Sequence, residues 1–560
     1  MNLEQKTAAH PGKRRRKGRH AERGRQPTAQ ALREIAAVLD GAAPDRHLLL
    51  EYLHRIQDRY SGISAQHIAA LAHHMRLSMA EIYEVASFYA HLDVHREDEE
   101  APPPITVRVC DSLSCQLAGA EALFFDLSQT TPADVRVVRA PCMGRCDAAP
   151  VAEVGRNHIV RATSQAVGAA IAASETAPAS VARASTQPDS DYGMYDDCMA
   201  GKRSAAKVIE TLDSAGLRGL GGAGFPAARK WRFVLAEPKP RILAVNADEG
   251  EPGTFKDRHY LETEPRRVLE GALIAAWAIE AQDIYIYLRD EYPCLLEVLH
   301  HEIATLQASG RSLPRITVRR GAGAYICGEE SAMLESIEGN RPLPRHRPPF
   351  PAQVGLFGRP TLAHNVETLY WIPHILEKGA AWFAGQGTNG CVGPRSYSVS
   401  GRVRLPGVKL APAGITVRAL IEEHCGGMQD GHTFAAYLPG GASGGILPAR
   451  LCDIPLDFGQ LEPHGAFIGS AAVIVLSDKD DMRAAALNLM RFFADESCGQ
   501  CTPCRVGTEK AGALMKDGPW DASLLSDLGH VMRDASICGL GQAAPNVFET
   551  LMRYFPESTR

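Results

Sequence analysis

Between Ala29 and Leu92 the apolar positions recur at helical spacing, with Ile82, Val85 and Tyr89 sharing one face. Ser78, followed three residues later by Glu81, forms a capping-box pattern that predicts where the last helix of this stretch begins. The period then changes. Ile105, Val107 and Val109 alternate with polar residues and run into Cys110, and Val135, Val137 and Val138 precede Cys142, so both cysteines are expected at strand ends. After Ile171 the chain turns to Ala, Ser, Thr and Pro as far as Asp191, too poor in large apolar residues to fold alone, which predicts a linker between two independent halves. Strand and helix patterns alternate from about Tyr195 to Leu376, as in an α/β domain. Short β-branched runs broken by Gly and Pro between Ser396 and Leu476 predict a small β-rich domain, and the C-terminal stretch is helical again. The expected organisation is therefore multidomain α/β: a tail over 1–28, a helical subdomain over 29–98, a strand-bearing domain over 99–172, a linker over 173–194, an α/β domain over 195–385, a β-rich domain over 386–478 and a helical domain over 479–560.

Composition narrows the functional classes. With 45% hydrophobic and 22% charged residues, the 560-residue chain carries enough apolar material for several cores, which excludes global disorder and fibres. A formal net charge of -5 gives no bulk positive field to hold nucleic acid or anionic lipid. The first 25 residues hold nine Lys or Arg against two Glu with no apolar run behind them, so a secretory signal is not expected and the tail is either solvated or an arm for an acidic partner. No run of about 18 apolar residues suggests a membrane span. Fourteen cysteines are few for a disulfide scaffold, and eight of them fall into two tight groups, which predicts a reduced, cytoplasmic compartment with metal or cluster chemistry.

Cys498, Cys501 and Cys504 form C-x2-C-x2-C, and Cys538 follows at a distance. Three thiolates at that spacing wrap three corners of a [4Fe-4S] cube while a remote fourth closes it; tetrahedral zinc is the rival, although zinc motifs usually come as two separated pairs. Cys110 with Cys115 and Cys142 with Cys146 make two pairs on loops, which suits a [2Fe-2S] unit whose irons each take two thiolates, again with structural zinc as the alternative. The isolated cysteines at 198, 294, 327, 391, 425 and 452 are expected to be small buried hydrophobes. Gly219, Gly221 and Gly224 satisfy G-x-G-x-x-G, with Lys230 within reach of a phosphate. The strand Ile242 to Val245 ends in a dense donor and acceptor loop running from Asn246 through Asp248, Glu249 and Glu251 to Arg258, and loops at strand ends carry ligands in α/β folds. A third loop, 321–330, combines glycines with Tyr325 as a stacking surface. Together the three fit an extended, phosphorylated, aromatic ligand.

These motifs carry a family resemblance. The glycine loop over 216–226, the acidic loop over 246–258, Gly-Ala-Tyr-Ile-Cys-Gly-Glu-Glu at 323–330 and Glu-Ser-Cys-Gly-Gln-Cys-Thr-Pro-Cys-Arg at 496–505 resemble the 51 kDa type flavoprotein subunit of respiratory complex I. Residues 30–172, with Glu-Val-Ala-Ser-Phe-Tyr at 84–89 and the paired cysteines, resemble the 24 kDa type subunit, so the chain looks like a fusion of the two. Over its whole length it most closely resembles the β subunit of NAD-dependent molybdenum or tungsten formate dehydrogenases, on segments such as Arg533–Ala544 and Leu438–Ala449. The NAD-reducing hydrogenases, which carry similar fusions, are the alternative, and a non-catalytic electron-transfer module is a further one.

The resemblance implies a thioredoxin-like [2Fe-2S] domain, an FMN domain, a β-grasp-like domain and a C-terminal helical bundle with [4Fe-4S]. It implies that FMN is held by Gly219, Gly221, Gly222, Lys230, Asn246, Asp248, Glu249, Tyr325, Gly328, Glu329, Asn365 and Thr368, and that NAD lies over it between the aromatic walls Phe225, Phe233 and Phe350 with polar contacts from Glu251 and Glu330. The sequence has His364-Asn365 where the family usually has two Asn, Arg347 where Lys is common and Leu220 where Arg is common. The implied chemistry is hydride exchange between nicotinamide and flavin followed by one-electron steps through the clusters, with no catalytic acid or base. Because the linker sets the paired cysteines apart from the flavin loops, the [4Fe-4S] site is expected on the main path and the [2Fe-2S] site off it. Nothing in the chain resembles a site for formate or hydrogen, which implies a partner α subunit carrying a molybdenum or tungsten pterin cofactor, and no nucleic acid.

Overall fold

The computed structural model describes residues 25–179 and 190–560. Most of the basic tail and residues 180–189 of the expected linker lie outside the described residues. Four helices, Ala29–Leu39, Leu49–Tyr60, Ala65–Met75 and Met79–Ala86, open the described chain. Ser78 caps the last of them and Glu81 returns the bond, so the capping box is complete.

The next unit is a four-stranded sheet in the order Val135–Ala140, Ile105–Cys110, Val151–Val154, Asn157–Val160, parallel in its first pair and antiparallel in the others. Leu123 and Leu127 of helix Ala120–Thr130 and Val167 of helix Ser164–Ala172 bury its Val107, Val109 and Val151. The central sheet is wholly parallel, ordered Thr361–Asn365, Arg241–Ala247, Ala281–Leu288, Arg315–Arg320. A mixed five-stranded sheet follows, with Gly407–Pro412, Pro394–Gly401, Ala472–Ser477, Phe434–Leu438 and Leu447–Pro448 side by side in that order. Helices Met482–Asp495, Thr502–Lys516, Ala522–Ala535 and Pro545–Tyr554 close the chain. Among the described residues no helix is long and apolar enough to cross a membrane.

A parallel sheet needs both faces covered. On one face Leu243, Val245, Ile284 and Ile286 pack against helices of the same domain, including Pro265–Ala278 and Val366–Lys378. The opposite face presents Ile242, Ala244, Tyr285 and Tyr287, which share one core with Leu53, Ile56, Leu71 and Ile82 of the N-terminal helices. The expectation of two independent halves is therefore corrected: the helical subdomain is the missing layer of the central sheet. Its apolar face was legible in the sequence, but periodicity does not say what such a face packs against.

A buried ionic knot joins three of these units. Asp290, just after strand Ala281–Leu288, accepts from Arg156 of the preceding four-stranded unit at 2.7 Å, is bonded to His91 of the N-terminal unit at 2.7 Å, and pairs with Arg320. Burial alone would raise the Asp290 carboxyl, but Arg156 and Arg320 outweigh it and hold it well below the carboxylate range. A lowered folded pKa gives stability that is present above the unfolded value and lost on acidification. Asp290→Asn is accordingly expected to cost about 1–3 kcal/mol near neutrality, because it leaves the half-buried Arg156 and Arg320 without their carboxylate. The difference from the parent should close only below pH ~4, the ordinary carboxylate value. Thermal midpoints measured across a pH series check this; a gap that widened toward acid would refute it.

Candidate functional site

Three loops meet at the C-terminal ends of the central strands, the edge at which open parallel sheets bind ligands. The acidic loop leaves Arg241–Ala247, the 321–330 loop leaves Arg315–Arg320, and Thr361–Asn365 ends on Asn365 itself. The glycine loop lies over them: a Cβ on Gly221 would stand 2.9 Å from the Asn365 Cβ, and Gly222 sits at φ +129°, a conformation that favours glycine. The Leu220 amide donates to the Thr368 hydroxyl at 2.9 Å. Asn246 donates from Nδ2 to the Gly328 carbonyl at 2.8 Å and accepts from the Asp248 amide at 3.0 Å, and a Gly328 Cβ would lie 3.0 Å from the Asp248 carbonyl. Gly219, Gly221, Gly222, Asn246, Asp248, Gly328, Asn365 and Thr368 are thus brought together. Asp248 is the telling member: its Oδ2 is buried with no partner among the described residues, and burial pushes its carboxyl well above the ordinary range. An orphaned polar atom beside backbone that leaves no room for side chains fits an FMN cradle.

Glu249 accepts from the Asp257 amide at 2.8 Å, the Arg258 amide at 3.1 Å and the Tyr292 hydroxyl at 3.0 Å; it caps helix Lys256–Thr263, and burial raises it to about 7. Glu251 accepts from the Ser443 amide at 2.7 Å and from the Tyr325 hydroxyl, tying the acidic loop to Tyr325 and to the glycine-rich turn at 440–445. Both carboxylates thus take protein donors, and through them they tie the loops together. Glu329 caps helix Glu330–Ile337 through the Ser331 and Ala332 amides. Glu330 is buried enough to resist ionisation, yet Lys230 at 2.8 Å and Arg347 at 3.2 Å hold it below its ordinary pKa. The departure at His364 has a local reason: its Nε2 accepts from Trp231 Nε1 at 2.7 Å, and burial, helped by the Lys230 charge, lowers it to about 3, so it is a neutral core acceptor.

Sequence reasoning did not single out Lys256, Asp257, Glu367, Arg289 or Tyr292. Lys256 is fully buried between Asp257 at 2.8 Å and Glu367 at 3.1 Å, and Asp257 accepts from Asn365 Nδ2 at 2.6 Å, so this trio fixes the floor of the cradle. Lys256 and Asp257 lie inside the acidic loop, and Glu367 follows two residues after Asn365. Phe225 and Phe233 are by contrast 40% and 46% exposed, with ring centroids 6.2 Å apart, and Phe350 is 52% exposed on the loop whose Arg347 reaches Glu329 and Glu330. Large apolar rings left open at the rim of a polar cradle are suited to a flat ligand.

Both thiol sets adjoin these loops. Cys110, Cys115, Cys142 and Cys146 are buried; Cys142 and Cys146 have sulfurs 3.3 Å apart, and the Cys110 thiol touches those of Cys115 and Cys142. Phe255 of the acidic loop packs on Cys142 and Cys146, the Gly253 amide bonds Cys146, and Arg289 donates both to the Cys142 carbonyl at 2.7 Å and to the Glu249 carbonyl. The linker therefore does not set this site apart from the flavin loops. Gly144, at φ +64°, lies so near Tyr292 that a Cβ would overlap the phenol. Gly144→Ala is expected to cost about 1–3 kcal/mol, the usual penalty of overpacking, and to broaden the [2Fe-2S] electron paramagnetic resonance signal; an unchanged melting curve and spectrum would refute the contact.

In the C-terminal bundle Cys498 and Cys504 are buried, while Cys501 and Cys538, both partly exposed, stand at the N-terminal caps of Thr502–Lys516 and Gly539–Ala543. Ser497 Oγ lies 3.3 Å from the Cys504 sulfur, Arg341 donates to the Cys498 carbonyl at 2.9 Å, and a Gly541 Cβ would come within 2.8 Å of the Cys504 Cβ. Cys498 and Cys504 share a core with Ile326, and Tyr325 packs on it. Burial pushes the Cys504 thiol up to about 11 and Cys538 to about 12, so thiolates here call for a bound metal cation.

Known proteins resolve what this geometry serves. Family models match over 35–175 (thioredoxin-like [2Fe-2S] ferredoxin), 212–374 (Nuo51 FMN-binding domain) and 484–560 (NADH-ubiquinone oxidoreductase-F iron-sulfur binding region). An NADH-quinone oxidoreductase subunit of Rhizobium meliloti (strain 1021) is 41% identical over 371 residues, 63% of this chain and 88% of that protein. The mitochondrial NADH dehydrogenase [ubiquinone] flavoprotein 1 of Dictyostelium discoideum is 40% identical over 368 residues, 62% of this chain and 77% of its own length. The chain belongs to the NADH dehydrogenase flavoprotein family. As a member it is an FMN-dependent oxidoreductase that exchanges electrons with NAD(H) and carries one [2Fe-2S] and one [4Fe-4S] cluster. The matched iron-sulfur regions span both thiol sets. A crystal structure of an NAD+-reducing [NiFe]-hydrogenase in the H2-reduced state contains a chain that superposes with a TM-score of 0.81 at 33% identity, covering 92% of each chain. That likeness spans the N-terminal units as well as the flavoprotein core.

Proposed function

We propose that this chain is the NAD+-reducing subunit of a cytoplasmic formate dehydrogenase, receiving electrons from a partner subunit with a molybdenum or tungsten pterin cofactor and passing them to NAD+, reversibly. Bound FMN supplies the conversion between a hydride pair and single electrons. The chain's own residues bind and orient. Gly219, Gly221 and Gly222 admit close backbone approach, Asn246, Asp248, Gly328, Asn365 and Thr368 line the cradle, and Tyr325 and Glu329 brace its far wall. Lys230, shared with Glu330, meets anionic ligand oxygens, and Phe225, Phe233 and Phe350 form the open wall for the nicotinamide dinucleotide. Cys110, Cys115, Cys142 and Cys146 hold the [2Fe-2S] cluster, and Cys498, Cys501, Cys504 and Cys538 the [4Fe-4S] cluster.

The carrying observation is the position of the acidic loop. It touches the [2Fe-2S] thiols through Gly253 and Phe255, and through Asn246 and Glu251 it grips the 321–330 loop that packs against the [4Fe-4S] thiols. Formate as the ultimate donor is supported by the sequence likeness along 438–449 and 533–544. The second reading, a hydrogen-oxidising partner, is supported by the near full-length likeness to the hydrogenase chain. Metal analysis of the complex purified from its native host separates them. Molybdenum or tungsten with formate-dependent NAD+ reduction is expected, and stoichiometric nickel with hydrogen-dependent reduction would overturn the formate assignment.

A further inference from the structure

Most cations around the cradle have carboxylate partners: Lys230 pairs with Glu330 at 2.8 Å, Arg347 with Glu329 and Glu330, and Arg232 with Asp213 at 2.8 Å. Arg229 has none. It is exposed and makes no hydrogen bond or ion pair with any described residue, and its guanidinium lies 5.7 Å from the Phe225 ring centroid and 5.4 Å from that of Phe233. It stands in the first turn of helix Ala227–Leu235, which holds no acidic residue. A cation there opposes the helix dipole, and a bound anion would relieve that conflict. Two open rings with a free, planar cation between them present stacking surfaces beside a phosphate-binding fork.

We propose that Arg229 is a binding residue that takes a phosphate of the nicotinamide dinucleotide beside the Phe225 and Phe233 rings. The proposal rests on the reading of those two rings as the NAD wall. The phosphate is either the pyrophosphate common to NADH and NADPH or the 2′-phosphate of NADPH, and both present the same oxygens to the guanidinium.

Anaerobic flavin reduction by NADH and by NADPH, followed by stopped flow in the intact holoprotein, tests it with Arg229→Gln and Arg229→Lys. A charge-assisted bond contributes enough that Arg229→Gln should raise the half-saturating concentration of the dinucleotide it contacts about tenfold or more. The limiting rate, flavin content and cluster spectra should stay the same, since an interaction made equally in ground and transition states affects only binding. Arg229→Lys should recover part of the loss, and ADP as a competitor should weaken in parallel. An effect on both dinucleotides assigns the pyrophosphate, and one confined to NADPH assigns the 2′-phosphate. Unchanged half-saturation for both overturns the proposal. Phe225→Ala and Phe233→Ala, measured alongside, separate the two levels: if they too leave half-saturation unchanged, the aromatic wall itself has been misplaced, whereas a rise there with none in Arg229→Gln condemns Arg229 alone.

Discussion

Cys501→Ser is expected to suppress electron exchange with the partner subunit by more than about 100-fold, since replacing a ligand outright should cost a cluster at least as much as disturbing its outer shell, while NADH still bleaches the flavin. The cradle contains none of the bundle thiols, so hydride exchange does not need them. Exit to another subunit does. Cys501 and Cys538 are partly exposed, whereas all four thiols of the [2Fe-2S] set are buried and Phe255 covers two of them. This difference, and not the linker, is the physical ground for placing the [4Fe-4S] site on the main path. Cys115→Ser should therefore abolish the [2Fe-2S] signal yet leave transfer to the partner largely intact. An equal block in both variants, measured as NAD+ reduction by the complex reconstituted with its partner subunit, would contradict the assignment.

Lys256→Met is expected to cost about 3–5 kcal/mol, because it leaves Asp257 and Glu367 buried without their cation. Burial by itself would lower the amine, but Asp257, Glu367 and Glu249 outweigh it and keep it above its ordinary value. A raised folded pKa gives stability that is complete below the unfolded value and is lost only as pH rises through the folded one, so the deficit of the variant should be flat across the neutral range. Asp257 also anchors Asn365, and loss of the trio should release FMN along with the fold's stability. Thermal midpoints and flavin content measure both effects. The double variant Lys256→Met/Glu367→Gln should recover part of the midpoint, since it removes one of the stranded charges; no recovery would mean that the trio is not coupled as drawn.

The legible parts of this protein were those written in local spacing. The Ser78 and Glu81 capping box, the strands ending at Cys110 and before Cys142, and the apolar strand feeding the acidic loop follow from short-range patterns, and each stands where it was expected. What local spacing does not encode is the identity of the opposite surface. Ile242, Ala244, Tyr285 and Tyr287 belong to runs that read as buried on both faces, and only the fold reveals that residues some 200 positions earlier cover one of them. The same limit applies to Glu249 and Glu251: the sequence marks them as polar groups at a ligand-binding strand end, but their donors come from Tyr292, Tyr325 and Ser443, which are distant in the chain. Arg289 is the extreme case. It reads as one charged residue after a strand, and it is the bridge between the flavin loop and the carbonyl of Cys142.

The central claim is that this one chain couples NAD(H) to single-electron carriers through a flavin. Anaerobic titration of the reconstituted holoprotein with NADH, followed by visible absorbance and electron paramagnetic resonance, tests it directly. One FMN and about six iron atoms per chain are expected from one cluster of each kind, with flavin bleaching accompanied by signals of a reduced iron–sulfur cluster. Flavin that stays oxidised with excess NADH, while dithionite reduces it, would contradict the account.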